Sequence, residues 1–338
     1  MNNTDNIVFN TLNKIRSSVI FSEKSFFNNY YIARTGIYCR MPGIAQPLFI
    51  GGFSCKNNGE QAKTIARFEV AERTLATYYL SNPLLRDRDY PLFSIHSGKN
   101  IDFIKPEKVL LGTTSTGQIN DTDAVGLGFH INKNDAINHS IFELLERHIL
   151  GKIWYEKHPL IQISEITLEK QDYIILDFTI ESEKILPFVM SVLFDKKCNL
   201  LCVGASFSTS ILKAVEKARC EAIMLANDVI SSKSIINITN KANQERMLSQ
   251  KNGTLSLKRR NYLLNLTSRK INTNLQSEIT LLQSLEILHL KNNDIYYCLL
   301  HESEYGYLAR AVTKKLITLR EYRRQFAHTE KSILDPIC

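Results

Sequence analysis

Three long stretches of the chain carry apolar residues at helical spacing, and shorter extended runs separate them. In the first, from Ala62 to Leu80, the residues Ile65, Phe68, Leu75, Ala76 and Tyr79 fall at helical spacing and define one stripe. Asn82-Pro83 ends it. The second, Ala136 to about Tyr155, is apolar over most of its circumference, as expected of a helix central to a fold. Asn134 or Asp135 is its expected cap. The third, Ile211 to Ile230, follows the small turn Gly204-Ala-Ser-Phe-Ser.

Extended patterns fill the intervals. Tyr38 to Phe53 is broken by Pro42 and Pro47 and turns at Gly51-Gly52. Lys108 to Gly112 reads as a strand, followed by a small polar loop from Thr113 to Asp123 and by Ala124 to His130. Tyr173 to Ile180 is a strand, and Phe188 to Phe194 with Leu200 to Val203 makes a hairpin. Gln276 to Leu290 is expected to be helical, with closing strands at Ile295 to Leu300, Tyr307 to Val312 and Leu316 to Leu319. A few strands followed by a long helix, repeated, predicts one α/β (α+β) domain with antiparallel or mixed sheets. Residues 1–35 read as a polar N-terminal arm, 36–325 as the domain, 231–272 as a polar basic insertion and 326–338 as a tail.

Composition narrows the class. Of 338 residues, 44% are hydrophobic and 22% charged, the balance of a globular protein with a real core. No apolar run is long enough to cross a bilayer, and Met1-Asn-Asn-Thr-Asp-Asn shows no secretory signal, so the expected location is the cytoplasm, without membrane contact. Seven scattered cysteines without a C-x-x-C pair argue against a disulfide framework or a zinc site. The net charge of +8 sits partly in Lys258-Arg-Arg260, Arg269-Lys270, Lys314-Lys315 and Arg320 to Arg324. Aromatics are not interleaved with the first two clusters, so no nucleic-acid partner is expected. A solvated basic face and a docking surface for an acidic partner both remain open.

Phosphate-loop and dinucleotide motifs are missing: Gly126-Leu-Gly128 lacks a third glycine, and no G-x-x-x-x-G-K occurs. His130, His139 and His148, nine apart, do not read as one coordination site and are expected in structural or surface roles. What remains is carboxylates. Glu69-Val-Ala-Glu72-Arg73 and Glu143-Leu-Leu-Glu146-Arg147 both spell E-x-x-E-R on helical runs, which places two acids and a guanidinium side by side. Glu69 and Glu72 fall inside the apolar stripe, where an unpaired charge costs several kcal/mol, on the order of 3–5. Either the pattern is an exposed salt bridge used twice, or the two helices share an acidic cavity for hard divalent cations.

The paired motifs, the run from Gly126 to Arg147 between them, and Lys213-Ala-Val-Glu-Lys217-Ala-Arg-Cys-Glu221 after its Gly-Ala-Ser turn resemble, in order, the YcaO family. The likeness spans roughly Gly51 to Leu319. It implies a YcaO-like fold whose long helices line an acidic cavity for ATP and Mg²⁺. By the same resemblance Glu69, Glu72, Glu143, Glu146 and Glu221 are metal ligands, joined by Arg73, Arg147 and Lys217 around the nucleotide. Glu72, Glu146 and Arg147 are the implied catalytic groups. The implied activity is ATP-dependent cyclodehydration of Cys, Ser or Thr in a ribosomally made precursor peptide, with thioamide formation, amidine formation and a non-catalytic scaffold role as alternatives. A ThiF-like partner that binds the leader peptide is expected, a flavin-dependent dehydrogenase is a further candidate, and self-association is left open.

Overall fold

The computed structural model describes residues 10, 13–15, 18, 20–27, 29–110, 125–168, 172–182, 184–231, 252–271, 278–291, 294–313, 315–317 and 319–326. In chain order its elements are β1 (Phe21–Lys24), β2 (Tyr31–Cys39), β3 (Leu48–Lys56), α1 (Gly59–Ser81), α2 (Pro83–Arg86), β4 (Tyr90–Ser94) and β5 (Asn100–Ile104). Then come β6 (Leu127–His130), α3 (Lys133–Glu156), β7 (Leu160–Leu168), β8 (Tyr173–Ile180), β9 (Phe188–Asp195), β10 (Leu201–Phe207) and α4 (Ile211–Ser231). The chain continues through α5 (Gly253–Leu266), β11 (Thr267–Lys270), α6 (Leu281–Ile287), β12 (Ile295–Ser303), β13 (Gly306–Thr313) and α7 (Leu319–Gln325).

The strands form three sheets, ordered β1-β2-β3, β10-β9-β8-β7-β11 and β5-β4-β12-β13-β6. Their pairings are antiparallel except β11 beside β7. The class is therefore α+β, with antiparallel and mixed sheets packed on long helices.

Each of the three long helices follows a strand of a different sheet and leans on it. Thus α1 packs on β3, α3 on β6 and α4 on β10, and each also touches the strand of another unit: α1 meets β6, α3 meets β10 and α4 meets β3. The three strand–helix units close into a ring. Close approach is secured by a glycine in each strand. A Cβ on Gly52 would sit 2.4 Å from the Ala66 carbonyl oxygen, on Gly128 2.5 Å from that of Ala136, and on Gly204 2.2 Å from that of Ala218. Any side chain there would push helix and sheet apart.

Helix starts follow simple chemistry. The Asn58 side chain accepts from the Glu60 and Gln61 N–H groups, and Asn132 does the same for Asn134 and Asp135. The cap of α3 therefore precedes the expected Asn134 or Asp135, which are already helical. The apolar circumference of α3 is buried as anticipated, with Ile141, Leu145, Ile149, Leu150, Ile153 and Trp154 all at 0% exposure. Burial of each such side chain contributes roughly 1.5–3 kcal/mol. Trp154 stacks on Tyr262 at 5.6 Å, and the Tyr262 hydroxyl donates to the Ile153 carbonyl at 2.9 Å, pinning α5 against α3.

Several expectations are corrected. Residues 106–108 form a 3-10 turn opened by Pro106, so the expected strand at Lys108 to Gly112 is not formed over its described part; Val109 and Leu110 are apolar because they are buried anchors. The helix expected over Gln276 to Leu290 is only Leu281–Ile287, bounded by a Thr280/Gln283 capping box and by left-handed His289. Among the described residues of Leu316 to Leu319 no strand forms: Leu316 and Leu319 are buried core residues and α7 begins there. β7 was not expected. Within the basic 231–272 stretch, Arg259 is buried and Arg260 lies over the Phe194 ring, so only part of that cluster is a solvated face. In the stretch read as an arm, β1 and β2 pair into a sheet with β3. The Thr113 to Asp123 loop and the tail beyond Phe326 lie outside the described residues.

Candidate functional site

The three units bring five glutamates together. Glu69 on α1 accepts from the Phe53 N–H of β3 at 2.6 Å, and Glu221 on α4 accepts from the Ala205 N–H of β10 at 2.7 Å. In both cases the donor is the residue after the close-approach glycine, and the acceptor is three residues past the alanine that glycine touches. Glu72 reaches across to the neighbouring unit and accepts from the Phe129 N–H of β6 at 3.0 Å. Glu143 accepts from the Gly126 N–H at 3.0 Å. Glu146 is buried beside Arg147, 3.5 Å away.

Several of these carboxyls act on one another electrostatically: Glu72 with Glu143 and Glu69, Glu146 with Glu221 and Glu143, and Glu69 with Glu221. Burial first, then the charge of Glu143, pushes the Glu72 carboxyl up to about 8, with the Phe129 N–H and Arg73 pulling the other way. Burial likewise drives Glu146 up to about 8; Arg147 opposes it, while Glu221 and Glu143 add to it. Glu69 and Glu221 are also raised, chiefly by burial, against Arg73 for the first and Arg147 for the second. Lys217, on the same face of α4 as Glu221, is lowered by burial and then by Lys56, against Glu146. A cluster in which burial raises four carboxyls, two of them to about 8, is short of positive charge.

The two arginines of the repeated motif part company. Arg73 pairs with Glu69, donates to the Gly51 carbonyl at 2.9 Å and lies 5.0 Å over the Phe53 ring, on the outer side of β3. Arg147 stays with Glu146 and acts on Glu221. The notion of an exposed salt bridge used twice fits only the Arg73 half.

Hard oxygen donors and a deficit of positive charge fit a divalent cation that carries a nucleotide. Among the described residues no three His, Cys, Asp or Glu are already gathered as a ready coordination sphere. The carboxylates are held by main-chain amides instead. Two separate hollows, of about 370 Å³ near His301 and about 570 Å³ near Tyr38, include none of the five glutamates.

Sequence reasoning missed a supporting network. Asp177, fully buried on β8, accepts from Ser191 at 2.6 Å, from Arg219 Nε at 2.9 Å and from Ser164. Arg219 thereby anchors α4 to its sheet with Lys217 and Glu221 facing the cluster. It also missed the spacing Gly52–Ala66–Glu69 and Gly204–Ala218–Glu221, which is the same in both units and was readable in the sequence.

No helix among the described residues is long and apolar enough to cross a membrane. Comparison with known proteins is consistent with the geometry. A family model described as YcaO cyclodehydratase, ATP- and Mg²⁺-binding, matches residues 106–312. The fold is shared with a chain of the E. coli microcin synthetase McbBCD complex, 16% identical, at a TM-score of 0.61 over 88% of each chain. It is also shared with YcaO from Methanopyrus kandleri, solved with AMPPCP and Mg²⁺, 13% identical, at a TM-score of 0.63 over 95% of this chain and 93% of that one. A heterocyclase in complex with substrate and cofactor is 11% identical at a TM-score of 0.61, over 89% of this chain and 49% of that one. No curated protein matches the chain. With a family model spanning more than half of its length and the fold of that family around a glutamate cluster, the chain belongs to the YcaO family of ATP-dependent, Mg²⁺-binding enzymes.

Proposed function

We propose that the protein cyclodehydrates Cys, Ser or Thr residues of a ribosomally made precursor peptide, with ATP converted to ADP and phosphate for each water lost. The observation that carries this reading is the convergence of Glu69, Glu72, Glu143, Glu146 and Glu221 from three helices onto one site short of positive charge. These five carboxylates would hold Mg²⁺ and, through it, the nucleotide. Bound ATP supplies the phosphoryl group that makes the backbone amide oxygen a leaving group. The protein's part is positioning and charge neutralisation, with no side-chain nucleophile.

Within that scheme Glu72, Glu146 and Arg147 would sit at the reacting end. Arg147 opposes the upward shift of Glu146 and Glu221 and would present a guanidinium to phosphate oxygens. Lys217 adds a second cation. Arg73, tied to Glu69 and β3, would act on the nucleotide only by fixing that carboxylate.

The McbBCD neighbour is a complex, which supports a separate partner that delivers the peptide. A ThiF-like leader-binding subunit, with a flavin-dependent dehydrogenase acting afterwards, fits the reading, and the exposed Lys258, Arg269 and Lys270 offer it a basic surface. The expected setting is the cytoplasm. Calorimetry of AMPPCP with and without Mg²⁺ tests the site: binding should require Mg²⁺ and should weaken in Glu72→Gln and Glu146→Gln. Mass spectrometry tests the chemistry, since loss of water that disappears when the peptide's Cys, Ser and Thr become Ala is expected. Sulfur uptake from added sulfide, or release of AMP and pyrophosphate, would overturn it.

A further inference from the structure

The ring of three units has one odd member. In two of them, the residue three past the alanine touched by the strand glycine is a carboxylate: Glu69 and Glu221. In the third, Ala136 on α3 is followed three positions later by His139. The backbone geometry is the same. A Cβ on Gly128 would sit 2.5 Å from the Ala136 carbonyl oxygen, 2.7 Å from the Ser140 nitrogen and 3.1 Å from the His139 Cβ. On Gly204 the corresponding distances, to Ala218, Ala222 and the Glu221 Cβ, are 2.2, 2.5 and 2.8 Å. His139 therefore stands where the other units place an acid.

The substitution changes the wiring around it. With no carboxylate on its own helix position, the Phe129 N–H of β6 is taken by Glu72 from α1. The imidazole is left accessible to solvent although protein surrounds it closely enough to desolvate it. Burial, then the charges of Lys217 and His130, pushes its pKa down to about 4, so at neutral pH it is uncharged with one N–H to donate.

We propose that His139 is a phosphate-contacting residue of the nucleotide site, forming with Lys217 a corner that accepts the anionic end of the ligand. This rests on the ATP–Mg²⁺ reading given above. A glutamate at this position would repel phosphate oxygens, whereas a neutral imidazole offers them a hydrogen bond. A metal ion is disfavoured in the same corner, because the Lys217 ammonium repels it. The positions of Glu69 and Glu221 face the cation, and the equivalent position of His139, one turn before Glu143 on α3, faces the phosphates.

The test uses AMPPCP with Mg²⁺ in calorimetry and Mn²⁺ without nucleotide in electron paramagnetic resonance. His139→Ala should bind AMPPCP about tenfold more weakly, the loss of one hydrogen bond to a charged group. His139→Asn, which keeps a neutral donor, should recover most of that loss. His139→Glu should weaken AMPPCP more than alanine does, while its affinity for Mn²⁺ stays level or rises. That opposite response is not expected of a merely structural residue. Wild-type AMPPCP affinity in all three variants would overturn the proposal, and so would parallel loss of AMPPCP and Mn²⁺ binding with lowered melting temperatures. If the wild-type protein itself bound no AMPPCP in the presence of Mg²⁺, the nucleotide reading would fall first and this assignment with it.

Discussion

Replacing Glu72 by Gln keeps the side chain's shape and its acceptor for the Phe129 N–H, but removes a charge that the metal-free fold holds at a cost. The carboxyl is raised from 4.5 to about 8 in the folded protein, by burial and then by Glu143 and Glu69. A folded-state value above the unfolded one favours the protonated form. The group is harmless below about pH 4.5, and its cost accumulates as pH rises towards 8. At about 1.4 kcal/mol per unit, the full shift corresponds to on the order of 5 kcal/mol above pH 8. Part of that is shared with neighbouring acids, which relax when Glu72 is neutral, so about 2 kcal/mol or more should appear in the variant. In a protein of this size that is a rise in melting temperature of roughly 3 °C. Scanning calorimetry of chelator-treated protein should therefore find the two equally stable at pH 4 and the variant more stable at pH 8.5. Mg²⁺ should raise the wild-type transition at pH 8.5 and move the variant's much less. A variant that melts below wild type at pH 8.5 without divalent cation would refute the reasoning.

Other perturbations probe the scaffold. Asp177→Ala leaves the half-buried Arg219 without its carboxylate partner and Ser164 and Ser191 without their acceptor, and urea unfolding should show a loss of about 2–3 kcal/mol. Gly204→Ala puts a Cβ against α4 backbone on two sides, so a loss of about 1–3 kcal/mol, together with weaker AMPPCP binding, is expected from the displaced Glu221. Gly98→Ala is the contrast: its surroundings are open and only its φ of +64° resists, so thermal melting should record about 1 kcal/mol lost and nucleotide binding should be unchanged. Tyr262→Phe removes the hydroxyl that ties α5 to α3 and should cost about 1 kcal/mol in the same assay.

What could be read from the sequence depended on how local its cause was. α1, α3 and α4 are legible from their apolar spacing, although Ile65, in the stripe read for α1, is exposed and the buried face runs through Ala62, Ala66 and Val70 instead; the glutamates are legible because acids inside such stripes demand a reason. β7 is not, since Gln162, Ser164 and Glu165 interrupt its apolar residues. Gln162 is nonetheless buried, and Ser164 donates to Asp177 on the neighbouring strand, a satisfaction only the tertiary structure reveals. Leu316 to Leu319 misled for the opposite reason. Its apolar residues serve the core beside α3, where the Ile317 carbonyl lies 3.0 Å from His148 Nδ1, and not a sheet. Histidine spacing does not single out His139, because its place in the fold is defined by equivalence to Glu69 and Glu221 across three units, not by distance to another histidine.

The arrangement of the units explains why so many acids can sit together in a folded chain before any cation arrives. A carboxylate on a buried helix face needs a donor, and four of the five take one from main chain: Phe53, Phe129, Gly126 and Ala205. Strand amides next to a close-packed glycine can be spared for this because the helix stands near enough to reach them. One amide donor satisfies one oxygen of a carboxylate and leaves its other lone pairs for a ligand. Repulsion among the acids is not removed by these bonds, as the raised values of Glu72 and Glu146 record. It is held in place. A divalent cation then gains twice, from the oxygens it meets and from the repulsion it cancels. Cation binding and fold stability must therefore be linked, and more strongly as pH rises and more of the acids ionise.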